Sequence, residues 1–258
     1  MVEWPTLLAV LPIVLFSGFV HGALGLGFPM IATPIIAIFL DVKLAIFITA
    51  LPTAAVNLAS VWSGSPSSTT LRKYSPLAGA SLAGAVIGSI VLATSDANPF
   101  RLLLALLILF FLWTSHQQRW PKAWVLNNGL LAMLLFGVLG GFSAGTTNVA
   151  VAVLIVYFLT LEVPRNELVP AMNLCFLLGK LSQIVVFLWI GVIGFGFLAS
   201  TIPLTLGALG ALFVGQRLGK SIPQERYRRI LRIILAVLAV VLLVQFIAAV
   251  SGNALYGV

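Results

Sequence analysis

The chain has 258 residues, of which 61% are hydrophobic and only 8% are charged, and its mean hydropathy is +1.16. Because a soluble domain carries about 25% charged residues, this composition excludes a soluble globular protein and predicts an integral membrane protein with the lipid bilayer as its surroundings. The net charge of +8 does not indicate a nucleic-acid partner, since basic residues flank membrane spans as topology signals.

Two long segments, residues 4–40 and 123–161, contain no Asp, Glu, Lys or Arg. As a straight helix, either segment would extend about 55 Å, whereas the hydrocarbon core of a bilayer is about 30 Å thick. Small residues interrupt both segments, as HGALGLGFP at 21–29 and GGFSAGTTN at 140–148. We therefore predict that each segment forms a helix, a break near the membrane middle and a second helix.

Apolar stretches of ordinary length follow each of these segments and predict membrane spans joined by short loops. They cover residues 44–62, 74–94, 100–115, 167–190, 197–216 and 229–250. The predicted fold is an all-α polytopic membrane protein.

The two halves of the chain resemble each other. Residues 76–109 align without a gap with residues 203–236, matching Pro76 with Pro203, Gly88 with Gly215 and Arg101 with Arg228. The same order places the break at 21–29 opposite 141–149. We predict a first transmembrane repeat over 1–118 and a second over 119–258, a duplication typical of transporters.

The distribution of basic residues predicts how the repeats are oriented. If each long segment is a hairpin that enters and leaves on one side, eleven Lys and Arg residues lie inside, and only Lys43 and Arg101 lie outside. A single crossing of each long segment separates the charges less well. The prediction is two inverted-topology repeats, each a broken-helix hairpin followed by three transmembrane helices, with both termini outside.

The breaks are candidate anion sites. Non-helical backbone at membrane depth must be buried in protein or line a wet cavity, and helix N-termini that point into such a cavity attract anions. Half-helix N-termini are predicted at 28–30 and 146–149, where Thr146, Thr147 or Asn148 would cap a helix starting near 149. The candidate residues are Gly25, Gly27, Phe28, Pro29, Gly145, Thr146, Thr147 and Asn148. The alternative is close helix packing by small residues.

Lys180 is the one Lys or Arg well inside a predicted span, and no Asp or Glu lies well inside any span to pair with it. A buried ammonium marks a functional site by default, so a translocated anion is its expected partner; the alternative is a lysine that reaches the membrane surface. The repeat alignment places Asn57 opposite Lys180. Asn57, Asn173 and Gln183 either shape the site or only link helices.

His21 at the first break is a candidate proton relay or substrate contact, or else it satisfies a loop carbonyl. The sequence Gly141-Phe142-Ser143-Ala144-Gly145 fits the G-x-S-x-G pattern of a serine hydrolase, which requires a strand–turn–helix elbow. Its apolar, helical flanks make an intramembrane serine hydrolase an unfavoured alternative. Because metal-hydrolase and nucleotide-binding motifs and paired cysteines are missing, we expect no enzyme activity, no cofactor and no metal.

The segments GALGLGFPMIATPIIAIFL, KLAIFITALPTAAVNLASVW, GVLGGFSAGTTN and GALFVGQRLGKSIPQERYRRIL together resemble the sulfite exporter TauE/SafE family, also called the toluene sulfonate uptake permease family. The resemblance covers nearly the whole chain. It implies a polytopic carrier of small sulfur-containing anions, such as sulfite, sulfoacetate or other organosulfonates, in the bacterial cytoplasmic membrane. The hypothesis is a secondary transporter that works by alternating access around a midplane anion site; an anion-conducting channel is the alternative. Small residues at 80–88 and 207–219 would serve a homodimer or internal packing.

Overall fold

The computed structural model describes residues 2–64, 67–114, 122–218 and 224–255. Among the predicted topology signals, Arg119 and Lys220 lie outside the described residues, as do the side chains of Arg226, Arg228, Arg229 and Arg232.

Thirteen helices and no strand are found in the described ranges, which confirms the all-α class. The helices are α1 Trp4–Leu24, α2 Phe28–Phe39, α3 Val42–Ile48, α4 Ala50–Gly64, α5 Ser68–Thr94, α6 Asn98–Thr114, α7 Lys122–Asn127, α8 Gly129–Thr147, α9 Val151–Thr160, α10 Arg165–Ile190, α11 Phe195–Ser200, α12 Ile202–Leu218 and α13 Gln224–Leu255.

Both charge-free segments are broken helices, as predicted, but each break follows a helix long enough to cross a membrane by itself, and the position of the breaks near the membrane middle stays a prediction. The first break (residues 25–27) separates α1 from α2, and Gly25 and Gly27 adopt φ angles of 85° and 113° there. The second break (residues 148–150) separates α8 from α9, and Asn148 takes the left-handed conformation with φ 65°. Glycine tolerates positive φ because it has no Cβ, and asparagine is the side-chain-bearing residue that adopts this region most readily.

The structure corrects three boundaries. The second segment contains an additional short helix, α7. The predicted span at 44–62 is bent by 45° where Thr49 separates α3 from α4. The helix after the second break begins at Val151, not near 149, because residues 146 and 147 still belong to α8.

Among the described residues, four helices are long and apolar enough to cross a membrane, namely α1, α5, α8 and α10, and the bent pair α3–α4 makes a fifth candidate. In contrast, α2 has 12 residues and α9 has 10. At 1.5 Å per residue these helices extend only about 18 and 15 Å, which is roughly half of a hydrocarbon core.

The outer surface is apolar, as a lipid-facing surface requires. Large apolar side chains are exposed on many helices, including Trp62 at 84%, Phe195 at 78% and Val185 at 64% exposure. A patchwork of this extent would drive a soluble protein to associate. Together with the long apolar helices, it supports an integral membrane protein.

Two helix pairs pack so closely that their backbones touch. Helix α1 runs parallel to α12, and a Cβ added at Gly22 would lie 2.1 Å from the carbonyl oxygen of Leu212. Helix α8 runs parallel to α5, and a Cβ added at Gly145 would lie 2.5 Å from the carbonyl oxygen of Ala85. Much of the small-residue pattern at 80–88 is therefore used for packing within the chain.

Helices α4 and α10 pack against each other in the interior, between these two pairs. The end of α4 at Gly64 contacts Pro170 near the start of α10, whereas the start of α4 lies close to Lys180. The two helices are thus antiparallel, and the predicted polar residues of both spans are buried along their contact.

Candidate functional site

A small cavity lies where both breaks approach α4 and α10. Its lining includes Gly27, Pro29, Thr53, Asn148, Val151 and Lys180. The space open to the centre of a water molecule measures ≈ 20 Å³, room for about one water. The lining residues come from α2, α4, α8, α9, α10 and the two breaks, so neither half of the chain forms this cavity alone.

Lys180 is the charged residue of this cavity, and its side chain is buried rather than extended to the membrane surface. Only 4% of the residue is exposed, which is inconsistent with the snorkelling alternative. Its Nζ donates to Asn148 Oδ1 and to Gln183 Oε1. Both partners are neutral amides, so within the described part of the chain the buried amine has hydrogen bonds but no counter-charge.

Asn148 holds the cavity together through its backbone and its side chain. Its backbone ends α8 in the left-handed conformation, and its Nδ2 donates to Thr33 Oγ1 and Thr49 Oγ1, at 3.0 Å each. The remaining amide atom, Oδ1, accepts from Lys180. One side chain therefore joins α2, the bend between α3 and α4, and α10.

Gln183 fixes the other acceptor of Lys180. Its Nε2 donates to the carbonyl oxygen of Gly145 at 2.8 Å, which directs Oε1 towards Nζ. Because Gln183 lies three residues after Lys180 on α10, the two side chains share a helix face. The structure thus brings three of the candidate residues, Lys180, Asn148 and Gln183, together.

The two half-helix N-termini at the cavity differ from the prediction in one respect. Thr146 and Thr147 do not start α9; their hydroxyls donate to the carbonyl oxygens of Phe142 and Ser143, at 2.8 Å in each case, inside the last turn of α8. Ala150 precedes α9 without a side-chain cap. The N-terminus that faces the cavity is therefore formed by residues 150–151.

His21 is fully buried next to the first break. Its Nδ1 accepts the N–H of Phe28 at 3.2 Å, and its Nε2 lies 2.9 Å from Ser60 Oγ. Because Nδ1 is an acceptor, the ring proton is on Nε2 and donates to Ser60. The imidazole thus accepts a hydrogen bond from a backbone N–H at the start of α2. The alternative from the sequence had been a bond to a loop carbonyl.

The other predicted residues lie around the cavity without lining it. Asn173 Nδ2 donates to the carbonyl oxygen of Gly25 at 2.7 Å, which ties α10 to the first break. Asn57 is fully buried one turn beyond Thr53 on α4, and neither atom of its amide has a partner among the described residues.

Thr53 is the polar cavity residue that the sequence analysis missed. Its Oγ1 is buried and has no hydrogen-bond partner within the described part of the chain, while the residue lines the same cavity as Lys180. The spacing of four residues between Thr53 and Asn57 puts both on one helix face, and this was the available signal.

Ser143 lies within α8, and its hydroxyl donates to the carbonyl oxygen of Leu139 at 2.9 Å. The segment is helical on both sides of Ser143, so it does not form the strand–turn–helix elbow of a serine hydrolase. His21 is bonded to Ser60 instead of Ser143.

The family model for the sulfite exporter TauE/SafE matches residues 10–242. The chain belongs to the sulfite exporter TauE/SafE family. Membership implies that this transporter moves sulfite or a related anion across a membrane, in agreement with the expectation of a non-enzyme. No curated protein and no solved structure matches the chain.

Proposed function

We propose that the chain is a secondary transporter of small sulfur-containing anions, such as sulfite, sulfoacetate or other organosulfonates. The anion binds in the cavity between the second break and Lys180. The observation that carries the proposal is a buried lysine without a carboxylate partner among the described residues, placed beside the uncapped N-terminus of α9. A positive side chain and a helix dipole then act on the same anion.

The cavity supports alternating access better than a channel. A space for about one water is too small for a sulfur oxyanion. The unpartnered hydroxyl of Thr53 in its wall is a hydrogen-bond donor for an oxyanion. The transporter must open on one side to admit the anion and open on the other side to release it.

The close helix contacts support two inverted repeats. In the first half, α1 contacts α12 through Gly18 and Gly22, which lie against Ala208 and Leu212. The residues 123 positions later are Gly141 and Gly145 of α8. They make the equivalent contacts with Ser81 and Ala85 of α5. Helices α4 and α10, which occupy corresponding positions in the two halves, run in opposite directions. The same spacing of 123 positions matches Gly25 with Asn148, so the two breaks correspond at residues 25 and 148. The alignment of 21–29 with 141–149 differs from this correspondence by three positions.

One ion pair and two hydrogen bonds support the predicted sidedness. Lys73 contacts Glu167 at 2.9 Å, and Arg165 donates to the carbonyl oxygen of Leu24 at 3.0 Å, so residues assigned to the inside lie at one end of the molecule. Lys43 bonds to the carbonyl oxygen of Ser95 in a separate group that is assigned to the outside. We infer a cytoplasmic-membrane protein whose N-terminus lies outside.

The test is anion uptake into liposomes that contain the purified protein. We expect saturable uptake of labelled sulfite or sulfoacetate, and we expect Lys180→Gln to abolish it because the buried positive charge is removed. Lys122→Gln is the matched control, since Lys122 is exposed and pairs with Glu162 on the surface.

Wild-type rates in Lys180→Gln would contradict the role of the lysine. An ohmic anion current without saturation would mean that the protein is an anion channel and not a carrier. Peptidase or esterase activity that disappears in Ser143→Ala would overturn the transport proposal.

A further inference from the structure

We propose that Lys180 carries one proton across the membrane with each anion, which makes the chain a proton–anion symporter. This inference rests on the proposed function, because it assigns the coupling ion of the same site. It follows from the number of hydrogen-bond acceptors around Nζ and from the charges missing near it.

The protein acceptors bonded to Lys180 are as many as the N–H donors of a neutral amine. An ammonium has three N–H donors, whereas a neutral amine has two donors and a lone pair. In the described part of the chain, Nζ bonds to two acceptors, Asn148 Oδ1 and Gln183 Oε1. Thr53 Oγ1 lines the same cavity but is bonded to nothing described, so it does not serve as a third.

Neither acceptor is free to turn away. Asn148 Nδ2 is held by Thr33 and Thr49, and Gln183 Nε2 is held by the carbonyl oxygen of Gly145. Both amides therefore present oxygen to Nζ with the anion absent. A third N–H acquires an acceptor when an oxyanion enters the cavity.

The surroundings also lack a negative charge that would stabilise an ammonium in the empty site. Helices α4 and α8 contribute no titratable residue, and α9 contributes Tyr157, which packs against Phe136 and Phe158. On α5, Lys73 and Tyr74 both bond to Glu167, and Arg72 is exposed. On α1, His21 is bonded to Ser60. On α10 itself, the remaining groups are Arg165, Glu167 and the buried Cys175. An unpaired buried ammonium is costly, and the entering anion removes that cost.

The transport cycle balances in protons and charge. When the anion binds, the lone pair of Nζ accepts a proton from water on the same side, and the new N–H donates to an anion oxygen. When the site opens to the other side and the anion leaves, the ammonium returns the proton to water there. A singly charged anion and one proton cross together, so the net charge moved is zero.

The test uses liposomes with a pH indicator in the lumen and gradients of methanesulfonate or isethionate. These sulfonates stay singly ionised near neutral pH, so a proton that moves with them is bound by the protein. We expect the lumen to acidify by one proton per anion taken up, at a rate that K⁺ and valinomycin potentials do not change. Anion uptake without acidification, or uptake that follows the potential, would overturn the proposal.

Lys180→Arg keeps the positive charge but removes the exchangeable proton, because a guanidinium stays charged at all accessible pH values. We expect this variant to bind the anion but to lose the coupled proton, while Lys122→Arg behaves as the wild type does. Acidification that persists in Lys180→Arg would place the proton on another group and overturn the assignment.

A measurement in detergent separates this proposal from the proposed function. Purified protein in weakly buffered solution is mixed with isethionate, and the protons taken up are counted against the anion bound. About one proton per bound anion is expected for the wild type, and none for a folded Lys180→Arg. Binding without proton uptake contradicts only the symport, whereas failure of the wild type to bind or move sulfite, sulfoacetate and both of these sulfonates contradicts the proposed function itself.

Discussion

The first and second breaks have similar backbones but different chemistry. At the first break, glycine provides the positive φ angles, the N–H of Phe28 is bonded to His21, and Pro29 has no N–H to offer. At the second break, Asn148 provides the positive φ angle, its side chain reaches Lys180, and α9 begins without a side-chain cap.

This difference shows that two matching breaks need not form two matching halves of an anion site. The N–H of Phe28 at the start of α2 is bonded to His21 of the same half, whereas Ala150 at the start of α9 provides no side-chain cap. The residue that matches Lys180 in the first half is the neutral Asn57, 123 positions earlier. We infer that the second half supplies the positively charged group of the anion site, Lys180, and that the first half supplies part of the cavity wall.

The largest effect is expected from Asn148→Gly. Glycine accepts φ 65°, so the second break keeps its backbone, but Lys180 loses an acceptor and Thr33 and Thr49 lose their donor. Losing a hydrogen bond to a charged group costs about 1.5–3 kcal/mol, so we expect the transport rate of isethionate to fall at least about tenfold. Saturable uptake into liposomes measures this change.

Size-exclusion profiles of the Asn148→Gly protein provide the control for folding. A folded variant with the wild-type uptake rate would show that the second break acts through its backbone alone. The two breaks would then be equivalent in chemistry as well as in shape.

An effect on stability, without a direct effect on the cavity, is expected from Gly25→Ala at the first break. The φ of 85° is strained for alanine by about 1–2 kcal/mol, and the added Cβ would lie 2.7 Å from Val169 Cγ1, which adds about 1–3 kcal/mol of overpacking. The apparent melting temperature in detergent should drop. In the double variant with Val169→Ala, part of that drop should be recovered; a double variant no more stable than Gly25→Ala would refute the steric part.

The smallest effect is expected from Gly27→Ala, two residues further along the same break. The φ of 113° is again unfavourable for alanine, but no atom lies within 4 Å of the added Cβ. Only backbone strain of about 1–2 kcal/mol remains, so the melting temperature should fall less than in Gly25→Ala. An equal or larger fall would mean that backbone strain, not Val169, governs the first break.

Several features follow from the sequence alone because their physical causes are local. A charge-free segment of 37 residues interrupted by small residues must bend within a bilayer about 30 Å thick, which is why the break between α1 and α2 was predicted. Lys180 was identified because a lysine among apolar residues, far from either end of its span, has no nearby water. The family resemblance rests on motifs along nearly the whole chain, and the family model confirms it over residues 10–242.

Other features were decided only by the tertiary structure, because they depend on atoms from distant segments. The amide of Asn148 meets Thr33, 115 positions away, and His21 meets Ser60, 39 positions away. Thr146 and Thr147 look like helix caps in sequence, but their hydroxyls bond back into α8. A polar side chain in a buried site takes the partners that packing brings within about 3 Å, and that choice is made between helices rather than along the chain.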